Sequence, residues 1–291
     1  MTKSIIILDG GISRELQRLG APFRQPEWSA LALMETPHLV EQVHDEFAAA
    51  GALVISTNSY AIVPFHIGAD KFAADGASLA ALSGQLAQRA ARRHGAQVAG
   101  SLPPVLGSYR PDLFEENAAR EVLTVLISGL SPYADIWLAE TQSSLAEAAL
   151  AAVLLIDDPR PLWLSFTLKD DGPPLLRSGE TVEQAAELAI RVGAKAILFN
   201  CSYPEVMDAA VVAARSVLGD SAIDVGVYAN GFAAQAEEKV ANSDIQAIRS
   251  DLGPDAYLKW AQQWAASGAT MVGGCCGIGT AHIEALAAGL K

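Results

Sequence analysis

The sequence predicts an α/β fold, a single (β/α)8 TIM barrel. Three observations carry that prediction. Eight short β-branched or aliphatic runs recur along the chain, helical patterns fill the intervals, and glycine stands two to four residues ahead of several runs. Eight strand–helix units fit the 291 residues, since one such barrel typically takes about 250. No low-complexity linker divides the chain, so residues 1–291 are expected to form one domain. A doubly wound open sheet is the competing arrangement, because periodicity alone does not say whether the sheet closes.

The elements follow in order. The run at 5–8, three isoleucines and Leu8, reads as a first buried strand. Over 39–47, Leu39, Val40, Val43 and Phe47 share one helical face, with Thr36 as N-cap and Pro37 at the first helical position. Gly51 then supplies the turn into a strand at 53–57. The stretch 58–72, with Pro64 and Gly68, reads as a mobile cover. Gly95 precedes a strand at 98–101, and a helix over 115–130 leads to a strand at 136–139. A strand at 162–166, a helix over 181–190, Gly193 and a strand at 196–200 repeat the unit. The last strands are expected at 223–228 and, after an alanine-rich helix from Ala233 and a turn at Gly268, at 270–273. Trp137 and Trp163 lie inside strand runs and are assigned to the core, as is His44 in its helix.

Composition excludes several classes. Hydrophobic residues make up 51% and charged residues 18%, with a mean hydropathy of +0.24, so a disordered chain is excluded. The longest apolar run, 148–156, is nine residues, whereas a membrane-spanning helix needs about 20. Twenty basic residues against 33 acidic ones give a net charge of −13, with Arg92-Arg93 the only basic pair. A nucleic-acid partner is not expected. The start lacks the h-region of a signal peptide, and three cysteines are an odd number for a disulfide framework. A cytoplasmic protein is expected.

In a barrel the chemistry sits just past the strand ends. All three cysteines fall there: Cys201 after the sixth strand, Cys275 and Cys276 after the eighth. Three thiolates with one exchangeable position make the layout of a catalytic zinc, and soft sulfur selects Zn2+ over magnesium or calcium. Gly273, Gly274 and Gly277 permit the sharp turn that two adjacent ligands need. Cysteines as small core residues, or 273–279 as a phosphate cradle, are the alternatives; the second lacks a lysine or arginine within 272–279. Asp9 and Glu140, at the ends of strands one and four, suit an ammonium group, and Gly10 and Gly11 offer N–H groups to a carboxylate. None of the five histidines shows metal-ligand spacing, although His282 falls near the rim. Tyr60 and Tyr228 follow strands and line the expected pocket, and Tyr60, Phe65 and Phe232 are candidates to hold a cation.

These residues resemble the homocysteine S-methyltransferase family. The motifs are Leu8-Asp9-Gly10-Gly11, Thr57-Asn58-Ser59-Tyr60, Gly100-Ser101, Glu140-Thr141, Asn200-Cys201 and Val272-Gly273-Gly274-Cys275-Cys276-Gly277. The resemblance implies a (β/α)8 barrel, Zn2+ held by Cys201, Cys275 and Cys276, and a homocysteine amine bound by Asp9 and Glu140. It places Gly10 and Gly11 near the substrate carboxylate, with Asn200 and Tyr60 as further substrate contacts. No side chain acts as nucleophile in this scheme: the zinc-activated substrate thiol does, taking a methyl group from an onium donor. S-methylmethionine is the expected donor and betaine the alternative; a non-catalytic zinc- or thiol-binding barrel is the reading from another class. The chain departs from the family at Leu102-Pro103-Pro104, Ala229 and Ala281, positions that border the pocket.

Overall fold

The computed structural model describes residues 4–232 and 247–290; the alanine-rich helix expected from Ala233 begins outside them. Eight parallel strands form one sheet: β1 (Ile6–Ile7), β2 (Val54–Ser56), β3 (Gln97–Leu102), β4 (Ile136–Gln142), β5 (Leu162–Phe166), β6 (Ala196–Asn200), β7 (Asp224–Tyr228) and β8 (Met271–Val272). Each pairs with its sequence neighbour from β2 to β8, and β8 pairs with β1. The sheet closes where Leu8 bridges Val54, with Leu53 N–H donating to Ile7 O (2.7 Å) and Asp9 N–H to Val54 O (3.1 Å). That closure excludes the open sheet.

Helices cover the outside: α1 (Ile12–Arg18), α2 (Ser29–Glu35), α3 (Pro37–Ala49), α4 (Pro64–Ile67), α5 (Ala69–His94), α6 (Glu116–Leu130), α7 (Leu145–Leu154), α8 (Val182–Val192), α9 (Pro204–Leu218), α10 (Pro254–Ala266) and α11 (Thr280–Gly289). Glu115 caps α6 by accepting from Asn117 and Ala118 N–H, and Thr181 caps α8 in a reciprocal box with Gln184. None of these helices is long and apolar enough to cross a membrane.

Two expectations need correction. Thr36 stands at the N-cap of α3, but its hydroxyl donates to Ala32 O (3.2 Å) in the last turn of α2, so its side chain closes α2 and does not cap α3. The stretch 58–72 is packed into the body: Asn58, Ser59, Ala61, Ile62, Val63, His66, Ile67 and Phe72 are all buried. Its apolar side chains outweigh the loop signal of Pro64 and Gly68.

The barrel interior decides the site. Leu8, Val54, Ala99, Leu138, Trp163 and Leu198 form an apolar layer inside the barrel. Side chains alternate along a strand, so the residues two further along face inward one layer higher: Ser56, Ser101, Glu140, Ser165 and Asn200. The interior thus turns polar toward the C-terminal ends of the strands. Trp137 lies between two inward residues and packs outward, with the Arg160 guanidinium 4.6 Å above its ring.

Candidate metal centre and active site

The polar layer is paired strand to strand. Asp9 accepts from Ser56 N–H (2.7 Å) and from the Ser56 hydroxyl (3.2 Å), while the Ser101 hydroxyl donates to Glu140. Asn200 Oδ1 accepts from Ser165 Oγ (2.8 Å) and Thr141 N–H (3.0 Å), and its Nδ2 donates to Thr141 Oγ1 (2.8 Å). Asn200 therefore braces the turn after Glu140, where Thr141 adopts φ +58°, and its amide is largely committed to that task. The Thr57–Ser59 pair, with Oγ1 and Oγ 2.8 Å apart, grips Ser101 through both its N–H and its carbonyl.

Burial pushes Asp9 up to about 7, against the hydrogen bonds from Ser56 and helped by the nearby Glu140. Burial likewise pushes Glu140 up to about 7, opposed by the Ser101 hydroxyl and helped by Cys201. Two acids held in one site repel, and an arriving ammonium group would let both ionise.

Cys201, Cys275 and Cys276 come together on the same rim, their Sγ atoms all within 4.8 Å of one another. Sulfurs on a tetrahedral zinc, each at about 2.3 Å from the metal, stand about 3.8 Å apart, so the set fits a zinc ion. Cys201 is buried in a left-handed conformation (φ +51°), and the other two are half-buried. Three thiols this close cannot all ionise without a cation. Cys276 is held well below the usual thiol range by hydrogen bonds from Cys201 and Cys275, and Cys275 is driven well above it by its own hydrogen bonds to Cys201 and Cys276.

The cysteine turn is fixed from both sides. Gly274 N–H donates to Asp9 O (2.9 Å), Cys275 N–H to Ala229 O (2.9 Å), and Gly231 N–H to Cys276 O (2.7 Å). Gly277 sits at φ +84°, the left-handed region that glycine enters without cost. A side chain on Gly11 would strike Cys275 O at 2.4 Å, so Gly11 is there to let two loops touch. Its N–H already donates to Ile278 O (2.9 Å), which removes it as a donor to a substrate carboxylate.

Tyr60 is half-buried, with its hydroxyl 2.7 Å from Ser108 Oγ. Phe65 projects to solvent at 41% exposure. His282 is not a ligand: its Nδ1 accepts from Gly279 N–H (3.3 Å) and its Nε2 donates to Leu252 O (3.0 Å). The sequence reading missed Tyr109, whose ring carries the Arg177 guanidinium at 5.1 Å. Arg177 pairs with Asp170 (2.7 Å), which accepts from Tyr203 N–H (2.8 Å) just past Cys201. The positive φ of Tyr109 (+63°) has no signature in the sequence.

A family profile, homocysteine S-methyltransferase, matches residues 6–290. The chain belongs to the homocysteine S-methyltransferase family. Homocysteine S-methyltransferase 4 of Zea mays is 30% identical over 98% of this chain and 89% of its own length. The homocysteine S-methyltransferase of Escherichia coli is likewise 30% identical, over 98% of this chain and 95% of its own. Among solved structures, the metallated form of the Escherichia coli homocysteine methyltransferase MmuM superposes with a TM-score of 0.79 at 28% identity, covering 98% and 96% of the two chains. As a homocysteine S-methyltransferase family member, the protein is a methyltransferase with a small-molecule thiol acceptor and a methyl donor. Its three-cysteine cluster is a metal site whose donor set is that of zinc.

Proposed function

We propose that this protein transfers a methyl group from a sulfonium donor, S-methylmethionine, to the thiol of L-homocysteine, giving methionine. The observation that carries the proposal is one rim holding both a three-thiol cluster and a pair of acids poised near 7. Zinc bound by Cys201, Cys275 and Cys276 supplies the Lewis acidity that makes a substrate thiol nucleophilic at neutral pH. The chain's own groups do the rest. Asp9 and Glu140 take the substrate ammonium, and Gly10 is the member of the glycine pair left to meet the carboxylate. Asn200 acts by holding Thr141, and so Glu140, in place.

A sulfonium donor is already activated, because it leaves as a neutral thioether and needs no general acid. His282 is not available as one, both its ring nitrogens being engaged with backbone. Burial holds the phenols of Tyr60 and Tyr228 well above their usual values, and their neutral rings would be the π-faces for a cation.

The test combines two measurements on the zinc-loaded protein. Zinc-edge X-ray absorption should count three sulfur neighbours, rising to four with homocysteine. Methionine should form with S-methylmethionine. Turnover with betaine instead would move the donor assignment, and a sulfur count unmoved by homocysteine would overturn the acceptor.

A further inference from the structure

The β7–β8 ladder is direct up to Gly273 N–H, which donates to Val227 O at 2.9 Å, and direct again at Cys275 N–H, which donates to Ala229 O at 2.9 Å. A regular parallel ladder would place Ala229 N–H on Gly273 O between them. Instead a side chain from α10 stands in the gap. Ala229 N–H donates to the Tyr257 hydroxyl (3.1 Å), and that hydroxyl donates to Gly273 O (2.7 Å). The strands are spread by one oxygen atom immediately before the two adjacent cysteines.

Tyr257 is completely buried and held on several sides. Its ring packs edge-on against Trp264 (5.6 Å) and His282 (5.9 Å). His282 in turn ties Gly279, at the far end of the cysteine turn, to Leu252 just ahead of α10. Gly274 is meanwhile fixed to Asp9 O on the other side, so the spreading cannot relax toward β1.

We infer that Tyr257 is a positioning residue for the metal centre, its hydroxyl acting as a wedge that sets the Cys275–Cys276 turn so that both sulfurs face Cys201. The inference rests on the zinc reading of the cluster. Without the hydroxyl, Ala229 N–H and Gly273 O either stay unpaired in the core or close on each other and drag Gly274 and Cys275 with them. Either outcome falls on the metal ligands.

Tyr257→Phe keeps the ring against Trp264 and His282 and removes only the oxygen. In the full-length protein we expect zinc affinity, measured by chelator competition, to fall at least about 10-fold, the scale on which groups behind metal ligands act. Co2+ placed in the site should show a shifted sulfur-to-metal charge-transfer band. Trp137→Phe, a core substitution on β4, should lower Tm with zinc affinity unmoved. An unchanged affinity and Co2+ spectrum in Tyr257→Phe would overturn the wedge, while failure of the unsubstituted protein to bind zinc would overturn the proposed function instead. If Tyr257→Phe does not fold, hydrogen exchange in the unsubstituted protein decides. Coupling is reciprocal, so zinc must slow exchange of the Ala229 amide, and an identical rate with and without zinc refutes the inference.

Discussion

Glu140→Gln in the metal-free protein without homocysteine isolates the acid pair. Burial raises the Glu140 carboxyl from 4.5 to about 7. A carboxyl whose folded value is raised contributes full stability below its unfolded value and loses it as pH climbs through the folded one. The window is therefore pH 5 to 8, and across it the unsubstituted protein should weaken. Moving that carboxyl from 4.5 to about 7 sets an upper limit of about 3.5 kcal/mol, which the partial exposure of Glu140 reduces toward about 1. Glutamine has the same shape, keeps an acceptor for Ser101 and stays neutral. In thermal scans the Tm of Glu140→Gln minus that of the unsubstituted protein should thus grow by about 2–6 °C from pH 5 to pH 8. A difference that is flat or falls with pH would show that Glu140 ionises normally and would remove the electrostatic basis of the amine site.

Cys275→Ala should lose zinc and methyl transfer together; full zinc stoichiometry in that variant would exclude Cys275 as a ligand. Asn200→Ala strips the support from Thr141 and leaves Ser165 and the Thr141 N–H unpaired, a cost of about 2–4 kcal/mol that denaturant titration would read. His44 is buried with neither nitrogen bonded, and burial lowers it to about 4. Its folded value lies below the unfolded one, so stability is lost as pH falls from 6.5 toward 4, and His44→Leu should gain about 1 kcal/mol on the unsubstituted protein near pH 5.5. An equal gap at pH 8 would refute that account.

The eight strands were legible because each is an apolar run fixed by burial on both faces, even where only two residues, as in β1 and β8, keep regular pairing. The cysteines and the acids were legible because strand ends in a barrel share a rim. Ser101 was read at its strand end, and Ser56 and Ser165 were within reach of the same reasoning, since each stands two residues beyond an inward apolar side chain. Thr36 was misread because its better partner, Ala32, lies in a helix the sequence did not announce. Tyr257 could not be read at all: its hydroxyl matters only because β7 and β8 meet beside α10, a contact with Gly273 that no local pattern encodes.

The seam between β1 and β2 carries one more consequence. The barrel is hooped shut there by a single bridge, and the next stitch, Ser56 N–H, is anchored to the Asp9 carboxylate. The group proposed to receive the substrate is thus also the clasp of the hoop. Whatever changes the charge on Asp9, a proton or a bound ammonium, changes the tension across that seam, so the backbone amide of Ser56 is a built-in gauge of whether the pocket is filled.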